Sequence, residues 1–394
     1  MRIQLWTYNY DPEPTGIGPV SKTLAEGLLD RGHEVLVVAA HPHYPTPAWG
    51  KRLRPYRERR NGVLVLRLPL WIGRETARER YRQELSFMLS TALVSPLLPQ
   101  TDVVVSASPS FPALLPAIAF VRARRIPWVV WLHDILPDGA SATGLVDEGP
   151  ILSSARWLER TAYARANRIV VLSNAFTTNL VGKGVPASKV RLIYDPATRR
   201  PGAEPVPPAK KDLRILSMGN IGFSQGLAPL VDAFENDARM ELLGARLIVT
   251  GTGMAADDVT SVLRSGRVEM HGVVTDGALE QELQAARIAL VSQKYEGAEF
   301  NIPSKLMNFM AYGLPILAAV NPQGEVARIV RHANAGWVVD SSDPGSFPDK
   351  LAELADAPGE VDERAADASR YAHNHFTPEA FAGAFDDQLT RIFE

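Results

Sequence analysis

Residues 3–39, IQLWTYNYDPEPTGIGPVSKTLAEGLLDRGHEVLVVA, decide the architecture. Ile3–Tyr8 reads as a strand and Asp11–Pro19 as a Pro/Gly loop. A helix is expected over Val20–Arg31, with Gly32 where a helix C-cap is wanted, and Glu34–Ala39 is the next strand. Strand, helix and strand in that order predict a parallel pair joined by a crossover helix. Outward from this unit, further strands are expected at Val63–Leu68, Asp102–Ser106, Trp128–Leu132 and Arg168–Leu172.

The segment Pro196–Asp212, PATRRPGAEPVPPAKKD, holds five prolines without apolar periodicity and reads as a linker. The alternation then restarts. Strands are expected at Arg214–Met218, Ala245–Thr250, Arg267–His271, Ile288–Val291 and Pro315–Val320, with helices near Ala228–Asn236 and over Asp276–Ala285. The tail, Pro378–Phe393, is an amphipathic helix carrying Phe381, Phe385, Leu389 and Ile392. These boundaries give a domain over 1–195, a linker over 196–212, a second domain over 213–377 and a terminal helix within 378–394. Both domains are expected to be Rossmann-like, with ligands at the carboxyl ends of the strands and in a cleft between the domains.

Bulk composition agrees with a globular α/β chain of two domains. The 394 residues are 46% hydrophobic and 22% charged, and a chain this long exceeds one core of typical size. Cysteine is absent, which excludes disulfides and thiolate chemistry and fits a reducing, cytoplasmic setting. No secretory signal is read at the start of the chain, and the longest apolar stretch, Leu85–Leu98, is interrupted by Ser86, Ser90, Ser95 and Pro96. It falls short of the ~20 residues that a spanning helix needs.

The net charge of −2 conceals +8 in residues 1–195 and −10 in residues 196–394. The basic excess of the first half lies within Lys51–Arg82, which holds 11 basic and 3 acidic residues. A solvated face is the plain reading. Next to Leu85–Leu98, the same run could also meet an anionic membrane surface. Nucleic acid is disfavoured, since aromatic residues are sparse there and no binding motif appears.

Three loops at strand ends, and one helix start, carry the candidate chemistry. Pro14–Gly18 offers Gly16 and Gly18 for close backbone approach, although a tight turn would need the same residues. Gly219–Gly226 repeats the device in the second domain and adds Asn220 and Gln225 as donors to phosphate. The third loop, Trp131–Asp138, puts His133 beside Asp134 and Asp138, as for acid/base work or an acceptor anchor. The stretch from Tyr295, YEGAEFNIPSKLMNFMAYGLPILAAV, places Glu296, Glu299, Ser304, Lys305 and Asn308 before and in a helix ending at Gly313. A helix start can hold a phosphate, and Lys305 adds charge where the dipole alone disfavours a cation. Against this stands an ordinary amphipathic helix capped by Ser304. No metal cluster, nucleophile elbow or Walker loop is found.

These features come together in a resemblance. NYDPEPTGIG, LLDRGHEVLVVAAHPHYP, LHDILPD, LSNAF, GNIGFSQGL and IPSKLMNFMAYGLPIL make the chain similar to family-four retaining glycosyltransferases of GT-B architecture. The likeness is to the bacterial branch that builds colanic acid, O-antigen and capsule units. It implies two Rossmann-like domains facing across a cleft, with the C-terminal helix packing back toward the first. It further implies a nucleotide-diphosphate sugar, read as a UDP-sugar, on the second domain, a lipid-linked glycan acceptor on the first, and no cofactor or metal. A soluble small-molecule acceptor and a non-catalytic nucleotide-sugar-binding relative are the alternatives.

On that pattern His133, Lys305 and Glu299 are catalytic. Gly16, Gly18, Gly219, Asn220, Gln225, Val273, Glu296, Ser304 and Asn308 bind the donor; Val273 lies by the base, and Ser304 and Asn308 lie near ribose. Asp134, Asp138 and Tyr44 face the acceptor. Two departures stand out. Gln225 occupies a position that is basic in many members, and Asn308 occupies one that is often a glutamate.

Overall fold

The computed structural model describes residues 1–394 except 15, 45–48, 50–51, 74–75, 109–111, 134–148, 200–211 and 297–301. The chain forms two compact units, Met1–Asp195 with Pro378–Glu394, and Pro196–Thr377.

The first unit is built on eight strands: β1 (Arg2–Thr7), β2 (Glu34–Ala40), β3 (Tyr56–Arg60), β4 (Val63–Leu68), β5 (Val103–Ser108), β6 (Trp128–Leu132), β7 (Arg168–Val171) and β8 (Val190–Leu192). They lie in the order β3-β4-β2-β1-β5-β6-β7-β8. All neighbours are parallel except β3 and β4. Because successive side chains of a strand point to opposite faces, β5 sends Val103, Val105 and Ala107 into one core and Val104 into another. Covering both faces in this way is what a parallel sheet demands.

The terminal helix, Pro378–Thr390, belongs to the first unit and inserts Phe381, Phe385 and Leu389 beside Leu24, Leu28 and Trp131. It lies so close to helix Gly18–Asp30 that a Cβ built on Gly27 would overlap Ala382. Arg31 donates to the Glu379 carbonyl at 2.8 Å, and His33 meets Asp386 at 2.8 Å.

The second unit contains β9 (Arg214–Met218), β10 (Arg246–Thr250), β11 (Val268–Met270), β12 (Ile288–Ser292), β13 (Ile316–Val320) and β14 (Gly336–Asp340). Their order is β11-β10-β9-β12-β13-β14, all parallel. The order reverses between β9 and β12, and such a switch point opens a crevice at the carboxyl ends of the two strands.

The expected strands agree with these to within one or two residues at their ends; β3, β8 and β14 are additions. Within the basic run Arg52, Arg54, Arg57 and Arg59 are exposed, as a solvated face requires. Tyr56–Arg60 is an antiparallel edge strand turned by Asn61 and Gly62, both at positive φ, and its charges discourage edge-to-edge pairing. Farther along, Thr76 caps helix Ala77–Val94 in a capping box with Glu79.

Candidate functional site

In the second unit, the loops following β9 and β10 are laced together. Gly219 donates to the Thr250 carbonyl and Ile221 to the Thr252 carbonyl, both at 2.9 Å, and Ala255 donates to the Ile221 carbonyl at 3.0 Å. A side chain at Gly251 would overlap the Gly219 carbonyl. The close approach of two backbones therefore requires glycine there. Gly219 and Gly226 adopt φ of 100° and 57°, in the region where glycine carries no Cβ penalty.

Gly226 starts helix Leu227–Asn236 without a side-chain cap. Across the switch point, helix Ser304–Ala311 starts after Pro303, again without a side-chain cap. Pro303 is the N-cap, and Ser304 is the first helical residue rather than the expected cap. Two helix starts thus present backbone N–H groups at the carboxyl end of the sheet, where they favour an anion.

Lys305 lies beside these ends, only 7% exposed. Its ammonium donates to Gln225 Oε1 at 3.0 Å, and burial lowers its pKa to about 8. The other end of the Gln225 amide donates to the Asn220 carbonyl. Gln225 thereby braces Lys305 and its own loop through its Oε1 and one of the two Nε2 hydrogens. Asn308 is also engaged. Its carboxamide oxygen accepts from the backbone N–H of Thr198 at 2.9 Å and of Arg199 at 3.0 Å, tying the chain that enters this unit to the helix. Val273 follows β11 and is 79% exposed. Glu296 and Ser304 are exposed in the same region, while Glu299 lies outside the described residues.

In the first unit, the β1 loop is organised by Glu13, which the sequence reading passed over. Its fully buried carboxylate accepts from Asn9 Nδ2 at 3.1 Å and from the backbone N–H groups of His43 and Tyr44 at 3.0 and 2.9 Å. Several donors to one carboxylate can offset the cost of its burial. Glu13 thereby joins the glycine loop to the segment carrying Tyr44, which is partly exposed. Gly16 has φ of 64°, and a Cβ on Gly18 would stand 2.8 Å from the Glu13 carbonyl. Arg67 braces the loop from below; its guanidinium is fully buried and bonded to Glu58 Oε1 at 2.8 Å and to the Asp11 carbonyl.

His133 follows β6 directly, with Nδ1 3.8 Å from Asp195 Oδ2, a carboxylate that arrives after β8. His133 Nε2 and Asp195 Oδ1 are buried without hydrogen-bond partners. Desolvation shifts the two groups in opposite directions, His133 down to about 3 and Asp195 up to about 7. At neutral pH the imidazole is uncharged, so it can donate or accept a hydrogen bond without carrying charge into the site. Asp134 and Asp138 lie outside the described residues. Among the described residues, no group of three or more His, Asp or Glu side chains is placed to hold a metal ion.

The sequence reading named the Gly219–Gly226 loop, the helix start and His133, and the structure places the first two at the switch point of the second unit and His133 after β6 of the first. That reading missed Glu13, Asp195 and Lys294, whose backbone N–H donates to the Ser224 carbonyl at 2.8 Å. Glu13 sits in a Pro-Glu-Pro run that could have marked it, whereas Asp195 and Lys294 have no local signal.

Two family models cover most of the chain: a glycosyl transferase 4-like domain matches residues 15–196 and glycosyl transferases group 1 matches residues 212–357. The chain is 27% identical over 336 residues to the putative colanic acid biosynthesis glycosyl transferase WcaI of Escherichia coli strain K12, spanning 79% of this chain and 82% of the relative. It is 26% identical over 299 residues to the probable glycosyltransferase WbjE of Pseudomonas aeruginosa, spanning 70% of each. Among solved structures, Anabaena Alr3699/HepE in complex with UDP matches with a TM-score of 0.73 at 16% identity, covering 99% of this chain and 100% of that one.

Proposed function

The chain belongs to the glycosyltransferases that join a 4-like domain to a group 1 domain, and from that premise we propose a retaining transfer from a nucleotide-diphosphate sugar. The donor is a UDP-sugar, and the acceptor is a hydroxyl of a lipid-linked glycan intermediate in bacterial polysaccharide synthesis. The observation that carries the reading is the second unit's switch point. There, two helix starts without side-chain caps and the buried Lys305 form a site for a diphosphate leaving group.

In the reaction, the anomeric carbon–oxygen bond to the β-phosphate breaks and the acceptor oxygen bonds to the same face of that carbon. The acceptor proton passes to the departing phosphate oxygen. No protein nucleophile is needed, so the chain's work is positioning and stabilisation of the leaving group. Lys305 and the helix starts take up the growing phosphate charge. Neutral His133 hydrogen-bonds the reacting sugar, Glu299 (or Glu296) its hydroxyls, and Asp134, Asp138 and Tyr44 the acceptor. The chemistry as drawn uses no metal.

The membrane part of the reading is supported by the first unit's surface. Helix Ala77–Val94 and the turn after it expose Tyr81, Leu89, Leu93 and Leu97, the last two 77% and 80% exposed. Exposed Arg78 and Arg80 stand on the same helix, and exposed Arg52, Arg54, Arg57 and Arg59 on and beside β3. No helix among the described residues is long and apolar enough to cross a membrane.

A thermal-shift panel of UDP, GDP, ADP and TDP, each with its sugars, tests the donor. A rise in melting temperature with uridine nucleotides, above that with the others, is expected. No shift with any nucleotide, together with no sugar release, would sink the proposal.

A further inference from the structure

The switch point has an electrostatic shortfall. A nucleoside diphosphate carries two to three negative charges, whereas the Gly219–Gly226 loop contributes none of the opposite sign. Gln225 is held by Lys305 at Oε1 and by Asn220 through one Nε2 hydrogen, and it brings no charge. Lys305 is itself desolvated, so a fraction of it is uncharged at mildly alkaline pH before any anion arrives. One buried ammonium and two helix starts, each equivalent to roughly half a charge, offset about two charges and leave the third charge of the departing nucleoside diphosphate unbalanced.

A second cation stands on the other side of the same turn. Lys294 follows β12 by two residues and is exposed, with its backbone N–H bonded to the Ser224 carbonyl at 2.8 Å. Its stem packs on Gly226. A Cβ built there would come 3.1 Å from Lys294 Cγ and 3.7 Å from its Cα. Consecutive residues of one turn are therefore each flanked by a lysine: Gln225 by Lys305, which arrives on helix Ser304–Ala311, and Gly226 by Lys294, which arrives from β12. Gly226 also caps helix Leu227–Asn236, so Lys294 borders one of the two anion-ready helix starts. Glycine at 226 has two roles here: it permits the φ of 57°, and it leaves room for the lysine stem.

We propose that Lys294 is the second cation of the diphosphate site, supplying from the β12 loop the charge that Gln225 does not. The proposal rests on the donor reading above and adds a residue to it. Its chemistry differs from that of Lys305. The exposed, hydrated ammonium of Lys294 reaches a phosphate by a flexible stem, so its contribution should be screened by salt.

The test is calorimetric titration of the full chain with UDP and with uridine, for the wild type, Lys294→Gln and the double variant Gln225→Lys/Lys294→Gln. Melting curves confirm that each variant is folded. Lys294→Gln should weaken UDP about tenfold at low salt, leave uridine unchanged, and flatten the salt dependence. The double variant should recover much of the loss, because it moves the cation one residue along the same turn. UDP affinity unchanged in Lys294→Gln would overturn the role of Lys294 alone. An equal loss for uridine and UDP would also overturn it, by showing a general disturbance of the loop. A folded wild type that binds no nucleoside diphosphate would remove the donor reading and this proposal with it.

Discussion

At the scale of single residues, burial does more than sequence position to set chemistry. Lys305 would be an ordinary lysine on a solvated helix; enclosed beside Gln225, it is lowered to about 8. The sign of the consequence is fixed. The folded, ligand-free protein binds fewer protons here than the unfolded chain, so this group costs stability at every pH below its ordinary value near 10.5. An arriving anion restores the proton. UDP affinity should therefore be steady below pH 8 and fall by up to about tenfold per unit above it, with proton uptake measurable by titration in buffers of different ionisation enthalpy. Lys305→Gln should bind weakly at every pH and lose that slope; a slope that survives the substitution would place the titrating group elsewhere. His133 and Asp195 follow the same logic with opposite signs. The sequence put His133 beside Asp134 and Asp138, which lie outside the described residues; among the described residues the structure brings to its Nδ1 the carboxylate of Asp195, 62 positions away.

Elements were the most legible scale. Val103–Val105 and Ile288–Val291 are short, wholly apolar runs between turn signals, so composition and length alone mark the strands that contain them as buried. Tyr56–Arg60 escaped notice because an edge strand tolerates charge on both faces, which removes the alternation that pattern reading relies on. The terminal helix was readable as amphipathic. Its pairing with helix Gly18–Asp30 was not, since that contact depends on the absence of a side chain at Gly27. A Gly27→Ala change sets two effects against each other. Helix propensity favours alanine by ~1 kcal/mol, while forcing Ala382 aside costs ~1–3 kcal/mol. The net expectation is a lower melting temperature and faster proteolytic removal of residues 378–394. A melting temperature raised by the full propensity gain would show that the two helices have room to part.

For the whole molecule, the charge split between the halves acquires a location. The described part of the first unit's basic excess lies on and around an edge strand and on helix Ala77–Val94, which also exposes Tyr81, Leu89 and Leu93 to solvent. Each exposed leucine leaves apolar area in contact with water, at roughly 25 cal/mol per Å². An anionic bilayer would cover that area and also attract the arginines. Flotation with anionic vesicles should carry the protein at low salt and release it at high salt, and the quadruple change of Arg54, Arg57, Arg59 and Arg60 to Ser should abolish binding. Absence of flotation in every condition would instead favour a soluble acceptor.

What the sequence determined by itself was the order of strands and helices, the break near residue 196 and the family likeness. These depend on periodicity, turn residues and short motifs, all local along the chain. The tertiary structure decided which groups act together: Glu13 with His43 and Tyr44, His133 with Asp195, Lys305 with Gln225, and Lys294 with Gly226. Each of these pairings depends on strand order and burial. Parallel sheets bring the carboxyl ends of distant strands to one edge, and desolvation there sets the charge state of what they carry.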